Sequence, residues 1–342
     1  MSAWASQEAA KEEEAVGDFA RMLERRDAGL LARVLSRAQT GPEAYVRGLW
    51  RAEVGLERWR LTRVLGCGSV ACVFELGDGA LALKVPTSRR KAPVLLHEVL
   101  IYSHLAQQAG GRLAERHVVP FHGVAAVTRR EYRRLRGGEV VPALVLERMD
   151  TTLEAVHRRA AVSKGQWWRY ARDLVAALQF LRESCVVHGD IKTANVLVRG
   201  QDAFLADFTS AAVCDAAPEP LTTTLEYCAP GLIGGGQPTH STDVYAAGLC
   251  LLALITRFEP FRELSMMKSH SSAPTHSLHE TQWLMNAISK GDPIKYNVLS
   301  QDLYDRWAEE LHFLRRFFVP AAQDALSRWL AESNARVAEH AF

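Results

Sequence analysis

The chain has 342 residues with 48% hydrophobic and 23% charged content, which excludes a mostly disordered chain, a collagen-like repeat and a disulfide-stapled miniprotein. Its formal charge is 41 − 39 = +2, so no net field steers it toward nucleic acid or a membrane surface. Cys67, Cys72, Cys185, Cys214, Cys228 and Cys250 form no CxxC pair and read as reduced thiols of an intracellular compartment. The opening MSAWASQEAAKEEE is acidic where a signal peptide is basic and then apolar. The longest apolar run, 244–255, has 12 residues, against roughly 20 for a membrane span. A soluble intracellular protein is expected.

Residues 1–58 mix acids and bases with apolar residues at helical spacing. Leu23, Leu30, Leu31, Val34 and Leu35 can share one helix face, predicting a helical extension that packs on the main domain. From Leu61, LTRVLGCGSVACVFELGDGALALKVP alternates apolar and polar residues and reads as three strands joined by a glycine-rich turn and a tight turn. Residues 94–107 have helical periodicity, and VVPFHGVAAV and VPALVLERM read as further strands. Between them TRREYRRLRGG carries Arg129, Arg130, Arg133, Arg134 and Arg136, read as a solvated hairpin, with a nuclear-import or acidic-partner patch as the alternative. After Asp150 the pattern turns helical, interrupted by the short apolar runs of CVVHGDIKTANVLV and AFLADFTSA. His270, His276 and His279 match no zinc-site spacing. The expected class is α+β: an extension over 1–58, a β-rich lobe over 59–149 and a helical lobe with a helical tail over 150–342.

The chemistry concentrates in HGDIKTAN, 188–195, where a loop between two apolar runs lets Asp190 and Asn195 converge. Asp207 follows at the end of the next apolar run, and two carboxylates with one amide suit a hard divalent cation that keeps phosphate oxygens as its other ligands. Upstream, Gly66 and Gly68 sit at a strand–turn–strand, where missing Cβ atoms let backbone N–H groups approach phosphates. Lys84 on the next strand supplies a fixed positive charge, and Glu98 on the following helix can pair with it. Each signal is weak alone; their order, glycine turn, strand lysine, helix glutamate, HxDxKxxN, then DF, is specific.

On these residues the chain resembles eukaryotic-type serine/threonine protein kinases over roughly 60–310. The resemblance implies a bilobal fold that uses ATP and Mg2+ to phosphorylate protein substrates, with no direct nucleic-acid or membrane partner. LGCGSVACV looks like the glycine-rich loop, with Leu65, Gly66, Gly68 and Val73 around the nucleotide. Ala82 and Lys84 look like the strand that presents the phosphate-binding lysine, with Glu98 as its partner. LERM resembles gatekeeper and hinge, with Glu147 and Met149 reading adenine. By the same carry-over Asp190 is the catalytic base, Lys192 touches the γ-phosphate, Asn195 and Asp207 hold magnesium, Thr224 matches the serine/threonine-type threonine, and Asp243 props up the catalytic loop.

Four positions depart from the pattern: Ala71 for the third glycine, Gly189 for the arginine before Asp190, Thr209 for the glycine after Asp207-Phe208, and Gly231 for the glutamate after Ala229-Pro230. None removes a group that touches ATP or magnesium, so an active enzyme is expected over a pseudokinase scaffold. Without the arginine at 189, an enzyme active as synthesised is expected. HGD…N also resembles small-molecule phosphotransferases of the aminoglycoside and choline kinase type, against which Lys192 and the 224–230 segment stand. DIKTANVLV, LADFTS and DVYAAG look similar to herpesvirus-encoded tegument kinases, which would place the protein in the host nucleus and the virion tegument.

Overall fold

Asp27 divides the amphipathic N-terminal stretch. Its side chain accepts the Leu30 N–H at 2.8 Å, an N-cap that ends α1 (Ser2–Arg26) and starts α2 (Ala28–Ala38). Leu23 therefore lies on α1, while Leu30, Leu31 and Val34 are buried on α2 and Leu35 is only half-buried. The single continuous face expected for these four leucines and one valine is thus corrected to two faces joined at a cap. Pro42, whose fixed φ suits a first helical turn, opens α3 (Pro42–Leu49).

The computed structural model describes residues 2–51, 61–77, 79–128, 140–214, 223–261, 278–319, 332 and 335. They form two compact units, Met1–Ala114 with Val119–Arg148, and Glu115–Val118 with Met149–Phe342. The arginine run at 129–136, His270 and His276 lie outside the described residues.

The first unit is built on an antiparallel sheet ordered β1-β2-β3-β5-β4, from β1 (Leu61–Cys67), β2 (Ala71–Leu76), β3 (Leu81–Pro86), β4 (Phe121–Thr128) and β5 (Val140–Glu147). Alternate residues of these strands, Cys72, Phe74 and Leu76 with Leu83, Val85, Val141, Ala143 and Val145, close one core face. Helix α4 (Ala92–Gln108) is buried along most of its length because the sheet and the N-terminal helices both pack on it. Arg89 Nη2 lies 2.5 Å from Asp18 Oδ2, and Gln107 Nε2 donates to Val34 O at 3.2 Å. Asp27 Oδ2 stands 3.5 Å from His97 Nδ1, a contact that holds Asp27 below the usual carboxylate range against the upward push of burial. After α3, the Arg51 N–H donates to Val124 O at 2.9 Å. Glycine is required opposite this segment: Gly123 has φ +137°, and a Cβ there would stand 2.3 Å from Leu49 O.

One expectation about the thiols is corrected in this unit. The β1–β2 register sets Cys67 opposite Cys72, and the two form a disulfide with Cα atoms 4.1 Å apart. Antiparallel pairing brings them together, which a search for CxxC spacing does not detect. Cys185, Cys214, Cys228 and Cys250 form no disulfide among the described residues.

In the second unit α6 (Lys164–Glu183) and α8 (His240–Thr256) form the helical core, with Trp167 Nε1 of α6 donating to Leu251 O of α8 at 2.9 Å. Two short helices, α5 (Leu153–Arg159) and α7 (Pro230–Ile233), complete this part of the unit. Gly248 lets α8 lie close to the helix Ala308–Phe318: a Cβ there would stand 2.6 Å from Phe317 Cβ. Short strands carry the loops between these helices: β6 (Thr151–Thr152), β8 (Val196–Arg199) and β9 (Asp202–Leu205) form one sheet, and β7 (Val186–Val187) pairs with β10 (Ala212–Val213). The chain therefore combines a β-sheet-rich unit with a helical one, as its α+β pattern predicts. Among the described residues no helix is long and apolar enough to cross a membrane.

Candidate active site

In the first unit, β3 pairs Lys84 with Val73 of β2 and Leu144 of β5, which fixes its backbone in mid-sheet. Its Nζ lies 2.9 and 2.7 Å from the two Glu98 oxygens. Lys84 is 6% exposed and Glu98 fully buried, so the two charges compensate each other out of water. Gly66 leaves open space where a side chain would be and a Cβ at Gly68 would stand 3.8 Å from Ala71 O, although the Gly68 N–H is used within the hairpin, donating to Ala71 O at 2.9 Å. Leu65 is exposed beside them, Val73 is half-buried and Ala82 is buried. The Glu147 N–H donates to Pro120 O at 3.0 Å and the Arg148 N–H to Ala80 O at 3.0 Å, which tie down residues 147–148.

In the second unit the β8–β9 hairpin does the positioning. Val196 pairs with Leu205, and beyond that pair the Ala206 N–H donates to Asn195 O at 3.0 Å. Asn195 and Asp207 are thereby held at the open end of one hairpin. Asp207 adopts φ +63° and its Oδ1 accepts from Thr209 Oγ1 at 2.6 Å, so the residue standing for the family's glycine binds this carboxylate directly.

Asp190 is the hub. Its Oδ1 accepts from Thr224 N–H at 3.1 Å and Thr224 Oγ1 at 2.8 Å. Its Oδ2 accepts from Lys192 Nζ at 2.7 Å and Asn195 Nδ2 at 3.2 Å. Lys192 Nζ also donates to Thr224 Oγ1 at 2.9 Å. Four residues expected from the motif are thus brought into one hydrogen-bonded cluster.

Beneath this loop lies Asp243, in the first turn of α8, which starts at a Thr239–Thr242 capping box. Its carboxylate accepts the His188 N–H at 2.7 Å and the Gly189 N–H at 2.9 Å. Burial pushes its pKa up to about 6, opposed by His188 and by these two donors. Gly189 has φ +78°, and a Cβ there would stand 2.9 Å from Ser210 O, which explains glycine at this position.

Sequence reasoning missed a second cluster. Glu259 accepts from Tyr227 Oη and from Thr193 Oγ1 at 3.3 and 3.4 Å. His157 Nε2 lies 3.1 Å from Glu259 Oε1, and Thr193 Oγ1 lies 2.9 Å from Tyr227 Oη. Burial pushes the Glu259 carboxyl up, but the His157, Tyr227 and Thr193 hydrogen bonds bring it below the usual range. Nothing in the spacing of these four residues announces their meeting, because they come from four separate segments.

Two oxygen donors at the hairpin end fit a hard cation. Asn195 commits its amide nitrogen to Asp190 O at 2.9 Å, which turns its oxygen away from that contact, and Asp207 supplies a carboxylate. Among the described residues no group of three or more His, Cys, Asp or Glu could hold a metal. The donor set therefore suits an ion bound by one carboxylate, an amide oxygen and phosphate oxygens, and not an all-protein cage.

Comparison with known proteins adds to this geometry. The protein kinase domain matches residues 60–309. The chain is similar to Serine/threonine-protein kinase ISR1 of Saccharomyces cerevisiae, 37% identical over 289 residues, covering 75% of this chain and 65% of that protein. It is also similar to Serine/threonine-protein kinase PknD of Mycobacterium tuberculosis, 27% identical over 215 residues, 60% of this chain and 30% of that protein. A third likeness is to the probable L-type lectin-domain containing receptor kinase V.3 of Arabidopsis thaliana, 31% identical over 158 residues, 43% of this chain and 22% of that protein. The chain thus spans less than two thirds of each of these relatives.

Proposed function

The chain belongs to the protein kinase domain family, and from that premise we propose that it is a serine/threonine protein kinase transferring the γ-phosphate of ATP to protein hydroxyls. The observation that carries this reading is the closed Asp190–Lys192–Thr224 cluster. In it Asp190 takes the proton of the acceptor hydroxyl, and Lys192 offsets negative charge on the transferring phosphoryl group. Lys84, held by Glu98, fixes the nucleotide phosphates, and the glycine turn and residues 147–149 hold the rest of the nucleotide. Asn195 and Asp207 are the residues that would hold the Mg2+ ion that protein kinases use. When bound, that ion neutralises phosphate charge.

Lys192 and Thr224 favour a protein acceptor over a small alcohol, because both border the base and Thr224 opens the segment expected to receive a peptide. The experiment compares phosphate transfer from ATP to myelin basic protein with transfer to choline and kanamycin. Transfer to the protein alone is expected; transfer to either small alcohol alone contradicts the reading. The likeness to herpesvirus-encoded kinases rests on three short strings of sequence, and no viral origin is assigned.

Activity as synthesised is part of the proposal. Thr224 bonds Asp190 directly at 2.8 Å, and position 189 has no room for a side chain that would receive a phosphate. Protein treated with phosphatase is expected to keep its rate within about twofold. A tenfold loss, restored by another kinase, contradicts this.

Asp243 sets an acid limb. Below about pH 6 its carboxyl gains a proton and becomes a poorer acceptor for the His188 and Gly189 amides, so kcat is expected to fall there. Its own effect on stability has the opposite sign. With the folded pKa above the ordinary 3.8, its stabilising contribution is full below that value and is lost as pH rises through about 6. Asp243→Asn should lower kcat and flatten the limb; an unchanged limb in that variant contradicts the assignment.

A further inference from the structure

The family pattern places a glutamate after Ala229-Pro230, where this chain has Gly231, and open space surrounds that position. The segment 224–233 still has to be held against the catalytic loop if Thr224 is to stay on Asp190. We propose that Glu259 is the positioning residue that does this, bridging Tyr227 of that segment to Thr193 of the catalytic loop. The inference rests on the protein-kinase reading only for its effect on rate.

Glu259 reaches three elements from one carboxylate. Tyr227, buried at the end of the turn Leu225–Tyr227, donates its hydroxyl to Glu259. Thr193, buried within HGDIKTAN, stands between Lys192 and Asn195 and donates to the same carboxylate. His157, on α5 and almost fully buried, presents Nε2 at 3.1 Å, and Arg158 Nη2 lies 3.9 Å away. Removing the carboxylate takes away the Glu259 contact of His157 and leaves Tyr227 and Thr193 with only their mutual 2.9 Å bond, which weakens the joint more than any one lost bond. The turn that carries Thr224 is itself short: the Tyr227 N–H donates to Thr224 O at 3.0 Å and the Cys228 N–H to Leu225 O at 3.0 Å. A tether on Tyr227 therefore acts on Thr224 within a single turn of chain. Glu259 touches no reacting atom; it acts through Tyr227 and Thr193.

The test compares wild type, Glu259→Ala, Glu259→Asp, Glu259→Gln and Tyr227→Phe in the full chain. It measures amide hydrogen exchange over 224–230, and kcat and KM for ATP with myelin basic protein as acceptor. In Glu259→Ala, exchange over this segment is expected to rise at least tenfold and kcat to fall at least tenfold. The KM for ATP should change less than twofold. Glu259→Gln, which keeps an acceptor for the Tyr227 hydroxyl, should recover several-fold of the lost rate. Tyr227→Phe, which removes both the Glu259 contact and the 2.9 Å contact with Thr193, should shift exchange the same way. Glu259→Asp, which withdraws the carboxylate and keeps its charge, should raise exchange several-fold and decides the matter if Glu259→Ala does not fold. Exchange within twofold of wild type in Glu259→Ala, or in Glu259→Asp if the alanine variant does not fold, overturns the proposal, as does a KM for ATP that rises in step with the loss of kcat. If wild type phosphorylates no protein, the kinase reading fails while exchange still decides whether Glu259 is the anchor.

Discussion

Asp190→Asn is expected to lower phosphate transfer by about 10² to 10⁴-fold while nucleotide affinity stays within about twofold. Asparagine has nearly the same shape, and its oxygen can still accept from Lys192 or Thr224, which now reach the two carboxylate oxygens at 2.7 and 2.8 Å. What it loses is the capacity to take the acceptor's proton. The catalytic cluster should therefore survive geometrically and fail chemically. Single-turnover transfer to myelin basic protein, with nucleotide affinity measured separately by fluorescence titration, separates the two effects. More than about a tenth of the wild-type rate contradicts the role of Asp190.

Lys84→Met should reduce transfer about 10² to 10³-fold, the scale of removing a fixed charge from the developing negative charge of a transition state. It has a structural cost too, because Glu98 is fully buried and loses its compensating charge, a change worth about 3–5 kcal/mol for a buried pair. Glu98→Gln keeps the lysine and loses its anchor, so a smaller loss of about tenfold is expected. The N-terminal helices bear on this comparison. They pack on α4, so helix position is held by α1 and α2, on which Phe19, Leu23, Leu31 and Val34 are buried, even when the ion pair is weakened. Equal rates for Glu98→Gln and wild type would show that α4 packing alone aligns Lys84. Melting temperatures of both variants separate the stability loss from the kinetic one.

The residues that the motif order singled out could be read because the chemistry fixes their types and the strands fix their spacing. Lys84 meets Glu98 because β3 and α4 are close in sequence, and Asn195 and Asp207 share one end of a tight hairpin because β8 and β9 pair directly. The alternation over 61–86 and the periodicity over 94–107 gave strands and a helix for the same local reason. Features set by tertiary register were not legible. Cys67 faces Cys72 only once β1 and β2 are paired. Asp27 reads as one more polar residue of a long helix until its side chain is seen capping Leu30. Glu259 finds Tyr227, Thr193 and His157 across separations of 32, 66 and 102 residues, beyond any periodicity. Thr209 and Gly189 looked like departures from a pattern. One binds Asp207, and the other occupies a backbone conformation that leaves no room for a Cβ.

The most direct measurement of the central claim is transfer of radiolabelled γ-phosphate from ATP to a panel of basic proteins, followed by phosphoamino-acid analysis of the acid hydrolysate. The account predicts label on serine and threonine, dependent on Mg2+ and absent with Asp190→Asn. Predominant phosphotyrosine, or label undiminished in the Asp190→Asn protein, would contradict it.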